Sequence, residues 1–438
     1  MFSLPKTATA PFCPSEVRGS VAMPTDAPLW RKLLRFSGPG LLVSVGYMDP
    51  GNWATDIEAG SRYGYNLLFV VLLSSLAAIV LQTLSARLGI VTGRDLAQLS
   101  KDRYGKRTRL TLWAFAELSI IACDLAEVLG SALAFHLLLG VPILAGVALT
   151  ALDTVIVLAL QGRKFRSLEA IVLGLIATIG VCFLVELILV QPSVSAIVQG
   201  LIPSFAAVGN ADALGLAVGI VGATVMPHNL YLHSNIVQTR VVAEDADSKR
   251  EAITLSTLDT IISLALALLI NAAILILAAA AFHSRGQDVA EIQDAYHLLD
   301  PIVGTGVASV LFGFALLASG QSSTFTGTVA GQVIMEGFLN LKIPCWQRRL
   351  ITRSLAIIPA FIGLWWLGER GVGTLLVLSQ IVLSLQLPFA VYPLIRFNGD
   401  RSLMGAAVPA RATRLAAWGI FAVITAANVW LVAQVVAG

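Results

Sequence analysis

Charge is scarce in this chain, and so are histidine and cysteine. Only 13% of its 438 residues are Asp, Glu, Lys or Arg, 57% are hydrophobic, and the mean hydropathy is +0.82. No soluble domain of this length sustains that balance, so the chain reads as an integral membrane protein. The four cysteines, Cys13, Cys123, Cys182 and Cys345, are scattered without a CxxC pair, which leaves no disulfide framework or zinc site. The five histidines are His136, His228, His233, His283 and His297, and the last two fall near a loop. A membrane haem protein carrying electrons needs histidine pairs facing each other across helices, and this distribution disfavours it. The net charge of +3 sits in short loops, so nucleic-acid binding has no support. Met1 to Leu29 hold five prolines and no run apolar enough for a signal-peptide core. Residues 1–30 read as a disordered cytoplasmic tail.

What is abundant is apolar runs of about twenty residues, the length that crosses roughly 30 Å of hydrocarbon as helix. The period-two pattern of an outer-membrane barrel is missing. Proline, glycine and charged loops divide the chain into about eleven spans: 36–60, 66–90, 110–138, 141–161, 167–190, 212–240, 253–282, 303–333, 348–367, 372–396 and 414–436. Basic residues concentrate before the first span and after the second, fourth, sixth, eighth and tenth, all on one side. The opposite loops carry little beyond Arg62, Arg285 and Arg370, and the stretch from Gln287 to Asp300 is acidic. The positive-inside rule then puts the N-terminus in the cytoplasm and the C-terminus outside.

Two spans are interrupted. In the first, SVGYMDPGNWATDIEAG places Asp49, Pro50, Gly51 and Asn52 inside an apolar run. Pro50 lacks an N–H and disfavours helical backbone at Asp49, so the helix breaks at its acid. A carboxylate at membrane depth marks a substrate or proton pathway by default. In the sixth, GLAVGIVGATVMPHNLYLHS carries Pro227 between Met226 and His228, and the carbonyl four residues back, Ala223, is left without its helical donor. Broken helices opening two five-span halves point to an inverted-repeat secondary transporter with a midplane site. The first repeat spans 31–200 and the second 201–400, while 401–438 add a loop and one extra helix.

If the breaks meet, they supply the Asp49 carboxylate, the Asn52 amide, carbonyls near Ala223 and the Met226 thioether. Hard oxygens alone suit Mg²⁺ or Ca²⁺, whereas a sulfur shifts preference to later divalent ions, so the expected cargo is Mn²⁺ or Fe²⁺. Asn52 also reads as a cap for the following half-helix. His228 and His233 read as proton carriers or as satisfied structural histidines. Glu117, Asp124 and Glu127 share one face of the third span, either as a proton wire or as a packing ion-pair network, with Arg349 or Arg353 as counter-charge. Gln82 and Gln380 read first as interhelical glue. A sodium-coupled amino-acid carrier on the same architecture is the alternative, but Asp49 would repel a substrate carboxylate.

The tetrad Asp49-Pro50-Gly51-Asn52, the Met226-Pro227-His228 triad and the segment ASGQSSTFTGTVAGQVIMEGFLNLKIP together resemble the Nramp family of proton-coupled divalent metal transporters, most closely the bacterial manganese-transporting type. The resemblance implies an all-α, leucine-transporter-like fold of about eleven transmembrane helices, with a 5+5 inverted repeat plus one. It implies import of Mn²⁺, Fe²⁺ and also Cd²⁺ or Co²⁺ with H⁺ across a bacterial inner membrane. It further implies metal ligation by Asp49, Asn52, Met226 and the Ala223 carbonyl, with Gln380 joining on occlusion and Gln82 nearby. Proton handling would fall to Asp49, His228, Asp124, Glu127 and the arginines opening the ninth span. No permanently bound cofactor and no obligatory protein partner is expected.

Overall fold

The computed structural model describes residues 18–23, 27–152, 165–204, 209, 211–303, 307–341, 343 and 345–437. They are almost wholly helical. The order is α1 (Leu29–Phe36), α2 (Pro39–Gly46), α3 (Pro50–Tyr63), α4 (Leu68–Thr92), α5 (Leu96–Arg103), α6 (Lys106–Leu139), α7 (Ile143–Leu149), α8 (Phe165–Val190) and α9 (Val194–Gly200). The second half holds α10 (Ala211–Val225), α11 (Pro227–Ile236), α12 (Ala246–Ala281), α13 (Ile292–Val303), α14 (Ala308–Leu339), α15 (Cys345–Leu367), α16 (Val372–Gly399), α17 (Arg401–Met404) and α18 (Arg411–Ala437).

Eight continuous helical stretches among the described residues are long and apolar enough to cross a membrane. They account for nine of the eleven expected spans, because α3 runs into α4 through a single 3₁₀ turn and Pro50–Thr92 forms one stretch. The expected fourth span extends beyond the described residues. The eighth corresponds to α14, whose run of Gly, Ser and Thr lowers its hydropathy and leaves it almost entirely buried in the bundle.

The two ends of the molecule are closed by different chemistry. At the basic end, Arg240 forms a buried ion pair with Glu169 at 2.8 Å and donates to the carbonyls of Phe36 and Ser37 at 2.8 and 2.7 Å. Asp259 accepts from the amides of Gly38 and Gly40, and Lys32 pairs with Glu251. These contacts tie the entry of α2 to α8, α11 and α12, so the basic loops do gather at one end as their charges suggested. Gly19 and Val21, within the segment read as a tail, hydrogen-bond to the carbonyls of Gln238 and Thr239.

At the opposite end, Ser61 Oγ donates to the Val289 carbonyl at 2.7 Å, and Glu291 accepts from the Gly373 amide at 2.7 Å. Burial pushes the Glu291 carboxyl up to about 7; the Gly373 amide pulls it back, and the facing Asp294 and Glu58 add to the rise. The acid therefore favours the folded chain in its protonated form. That contribution is full below the ordinary carboxylate range and is lost as pH rises through about 7. Glu291→Gln is expected to raise thermal stability above about pH 8, by on the order of 1 kcal/mol after allowing for solvent screening, and to change little below about pH 5. An equal shift in melting temperature at both pH values would contradict this.

Candidate metal and proton site

Asp49 is the N-cap of α3, with Pro50 in the first helical position, where a missing N–H costs nothing. Its Oδ1 accepts from the Asn52 backbone amide at 2.9 Å and from Asn52 Nδ2 at 2.7 Å, while Oδ2 is buried without a hydrogen-bond partner. The carbonyls released by the break are taken by neighbouring helices. Asn271 on α12 donates to Tyr47 O at 2.7 Å, and Ser319 on α14 donates to Met48 O.

The second break falls at Met226, whose backbone adopts φ 36° between α10 and α11. This is left-handed space that a side chain larger than glycine enters only under constraint. Pro227 leaves Ala223 O without its helical donor, and Asn52 Nδ2 supplies one at 3.0 Å. One amide thus bridges both interruptions. The Met226 sulfur lies 3.6 Å from Asn229 Nδ2 and packs with Ala122 and Leu383. Gln380 on α16 lies hard against the first break, where a methyl group at Gly51 would overlap its carboxamide. Asp49, Met226 and Gln380 are 0% exposed and Asn52 is 1% exposed, so the site is occluded from both ends.

Gln82 joins helices rather than pointing at a free carboxylate. Its Nε2 donates to Tyr47 Oη at 2.8 Å and its Oε1 accepts from His233 Nδ1 at 3.0 Å, which places His233 in the same chain of hydrogen bonds. His228 is buried, with Nδ1 unpartnered, and lies within the electrostatic reach of Asp124.

Of the α6 acids, Glu117 has its counter-charge on the first turns of α15. Glu117 pairs with Arg348, which had not been singled out, because the first turns of α15 present that residue to α6. Arg353 is buried one and a half turns further along and donates to Thr324 on α14 at 3.2 Å. The Arg349 side chain lies outside the described residues. Asp124 and Glu127 face α14 at Gly327, where an added methyl would stand 3.7 and 2.9 Å from their oxygens. Cys123 Sγ is 3.6 Å from Glu127 and feels the charges of Asp49, Asp124 and Glu127 together. The acids and the first break are therefore neighbours.

Three polar residues beside the breaks carry no helix-breaking mark in the sequence, Asn229, Asn271 and Asp56, and neither does the buried Glu186 on α8. Asp56 is buried one helical turn past Asn52 and senses the Asp49 charge. Glu186 on α8 is fully buried with neither carboxylate oxygen hydrogen-bonded. Each is a polar group in an apolar run, the same signal that exposed Asp49.

The model of the family described as natural resistance-associated macrophage protein-like matches residues 40–434. The chain belongs to the Nramp family. Nramp proteins are transporters, so the chain is not an enzyme. It is 70% identical over 437 residues, covering 100% of this chain and 99% of the relative, to the divalent metal cation transporter MntH of Ralstonia nicotianae. It is 68% identical over 431 residues, 98% of each chain, to the divalent metal cation transporter MntH 1 of Pseudomonas aeruginosa. Among solved structures, the Eremococcus coleocola manganese transporter matches with a TM-score of 0.88 at 40% identity, covering 94% of this chain and 89% of that one. A nucleobase-cation-symport-1 transporter, Mhp1, matches at a TM-score of 0.61 and 14% identity, which shows the shared leucine-transporter-like fold. The expected architecture and family both hold.

Proposed function

We propose that the chain imports divalent transition-metal ions, Mn²⁺ and Fe²⁺ foremost, into the bacterial cytoplasm together with H⁺ by alternating access. The N-terminus and the basic end face the cytoplasm and the C-terminus lies outside. The observation that carries this reading is the Asn52 amide, held between Asp49 Oδ1 and Ala223 O across the two breaks. A donor N–H occupies the place between two oxygens that a cation would take. When the ion arrives, Asn52 turns its amide about the last torsion so that Oδ1 faces the metal. Before the turn, that Oδ1 accepts from Asn271 Nδ2 at 3.4 Å, a long contact given up in favour of the ion. Asp49 supplies the compensating charge, Ala223 O a neutral oxygen and Met226 the thioether. Gln380, pressed against Gly51, is placed to join through its unpartnered Oε1. Gln82 acts one step back, through Tyr47 and His233.

Protons leave the site along α6. Asp124 and Glu127 lie next to the break, and the Glu117–Arg348 pair lies about two turns nearer the basic end than Asp124, with Arg353 on α15 reaching Thr324 of α14. His228 bridges the site to Asp124. Uptake by proteoliposomes, read for competing metals with a pH-sensitive dye inside, tests ion choice and coupling together. Asp124→Asn is expected to reduce metal-stimulated acidification by roughly a hundredfold, the low end of the range for a positioned proton-transfer group. Unchanged acidification would leave the α6 acids as a packing network.

A further inference from the structure

Four arginines share one cavity at the basic end. The cavity has a volume of about 770 Å³ and opens between the junction of α5 and α6, the C-terminal end of α16 and the start of α18. It has no lining residue in common with the metal centre. Arg103, Arg396, Arg411 and Arg414 line it against a single carboxylate, Asp400, which stands 3.5 Å from Arg103. Three guanidinium groups are thus left without a facing acid within the cavity, and the buried Nε of Arg414 has no hydrogen-bond partner. Like charges held together in a partly sheltered space repel one another, and an anion is the chemistry that relieves them. Guanidinium forks match phosphate oxygens in pairs.

The surroundings say where the anion comes from. Tyr104 and Trp418, residue types that settle at membrane interfaces, form part of the same wall. Below it Leu415 is 71% exposed and Val423, on the same face of α18, is 69% exposed, so the charged compartment continues into a lipid-facing apolar strip. A free anion needs only the first of these features, whereas a lipid needs both. We propose that this cavity binds the phosphate headgroup of an anionic phospholipid of the cytoplasmic leaflet, with its acyl chains lying along α18. A headgroup with two phosphodiesters, as in cardiolipin, best matches the surplus charge.

The test uses the full chain in detergent, titrated with cardiolipin, with phosphatidylcholine or with inorganic phosphate, reading melting temperature and retained lipid by native mass spectrometry. Cardiolipin is expected to raise the melting temperature well above the effect of phosphatidylcholine, because a ligand that binds only the folded state stabilises it. The triple variant Arg396→Gln, Arg411→Gln, Arg414→Gln should lose that increment and its retained lipid. The charge-keeping Arg396→Lys, Arg411→Lys, Arg414→Lys should keep most of it. Mn²⁺ uptake in phosphatidylcholine vesicles should be the same in all three proteins. If the triple glutamine variant fails to fold, Arg414→Gln alone should at least halve the increment. An undiminished response in the glutamine variants overturns the proposal, and an equal increment from inorganic phosphate reassigns the site to a free anion.

Discussion

Asp49→Asn is expected to abolish Mn²⁺ uptake while leaving the folded chain intact. Asparagine is as good an N-cap as aspartate, so the α3 start keeps its hydrogen bond from Asn52, whereas alanine would also remove a cap worth about 1 kcal/mol. What asparagine cannot supply is charge. At an effective dielectric of about 20, a unit charge 4 Å from a unit cation is worth about 4 kcal/mol, and a dication feels more. Ion affinity should therefore fall by more than a hundredfold on the scale of about 1.4 kcal/mol per tenfold. The comparison of the two variants separates ligation from capping. A melting temperature near that of the unaltered chain, with uptake at background, is the expected pair of readings. Near-normal uptake by Asp49→Asn would remove the carboxylate from the site.

Met226→Leu should change which ions pass rather than whether any do. The side chain is fully buried, and alanine would add a cavity penalty of roughly 2–5 kcal/mol, whereas leucine keeps its volume and removes only the sulfur. Loss of a soft ligand should weaken Cd²⁺ by roughly tenfold to a hundredfold, the range seen when a metal's shell is disturbed, and weaken Mn²⁺ less. Ca²⁺ and Mg²⁺, which gain nothing from a thioether, should begin to compete. The readout is a competition series on Mn²⁺ uptake. An unchanged order of inhibition would show that sulfur does not select.

The two interruptions were legible because proline acts locally. Pro50 and Pro227 withhold an N–H wherever they stand, and the carbonyl that Pro227 leaves free, Ala223, is the one that meets Asn52. The end-to-end charge asymmetry was legible for a similar reason, since each basic loop reports its side alone. Partner choice across helices was not. Several arginines open α15, and only the packing of α15 on α6 selects Arg348 for Glu117. Asn229 and Asn271 passed unnoticed because one amide in an apolar helix reads the same whether it packs, caps or positions a ligand. The Arg240–Glu169 pair joins residues far apart in sequence, and neither carries a local mark of the other. Asn52 combined both outcomes: its role as cap and its place at the centre turned out to be compatible.

The decisive measurement is a crystal structure with Mn²⁺ bound, with the metal located by its anomalous scattering. The expected peak lies between the two breaks, coordinated by Asp49, by Asn52 with its amide turned to present oxygen, by the Ala223 carbonyl and by the Met226 sulfur. A peak elsewhere, or Asp49 and Met226 too far apart to share one ion, would contradict the assignment.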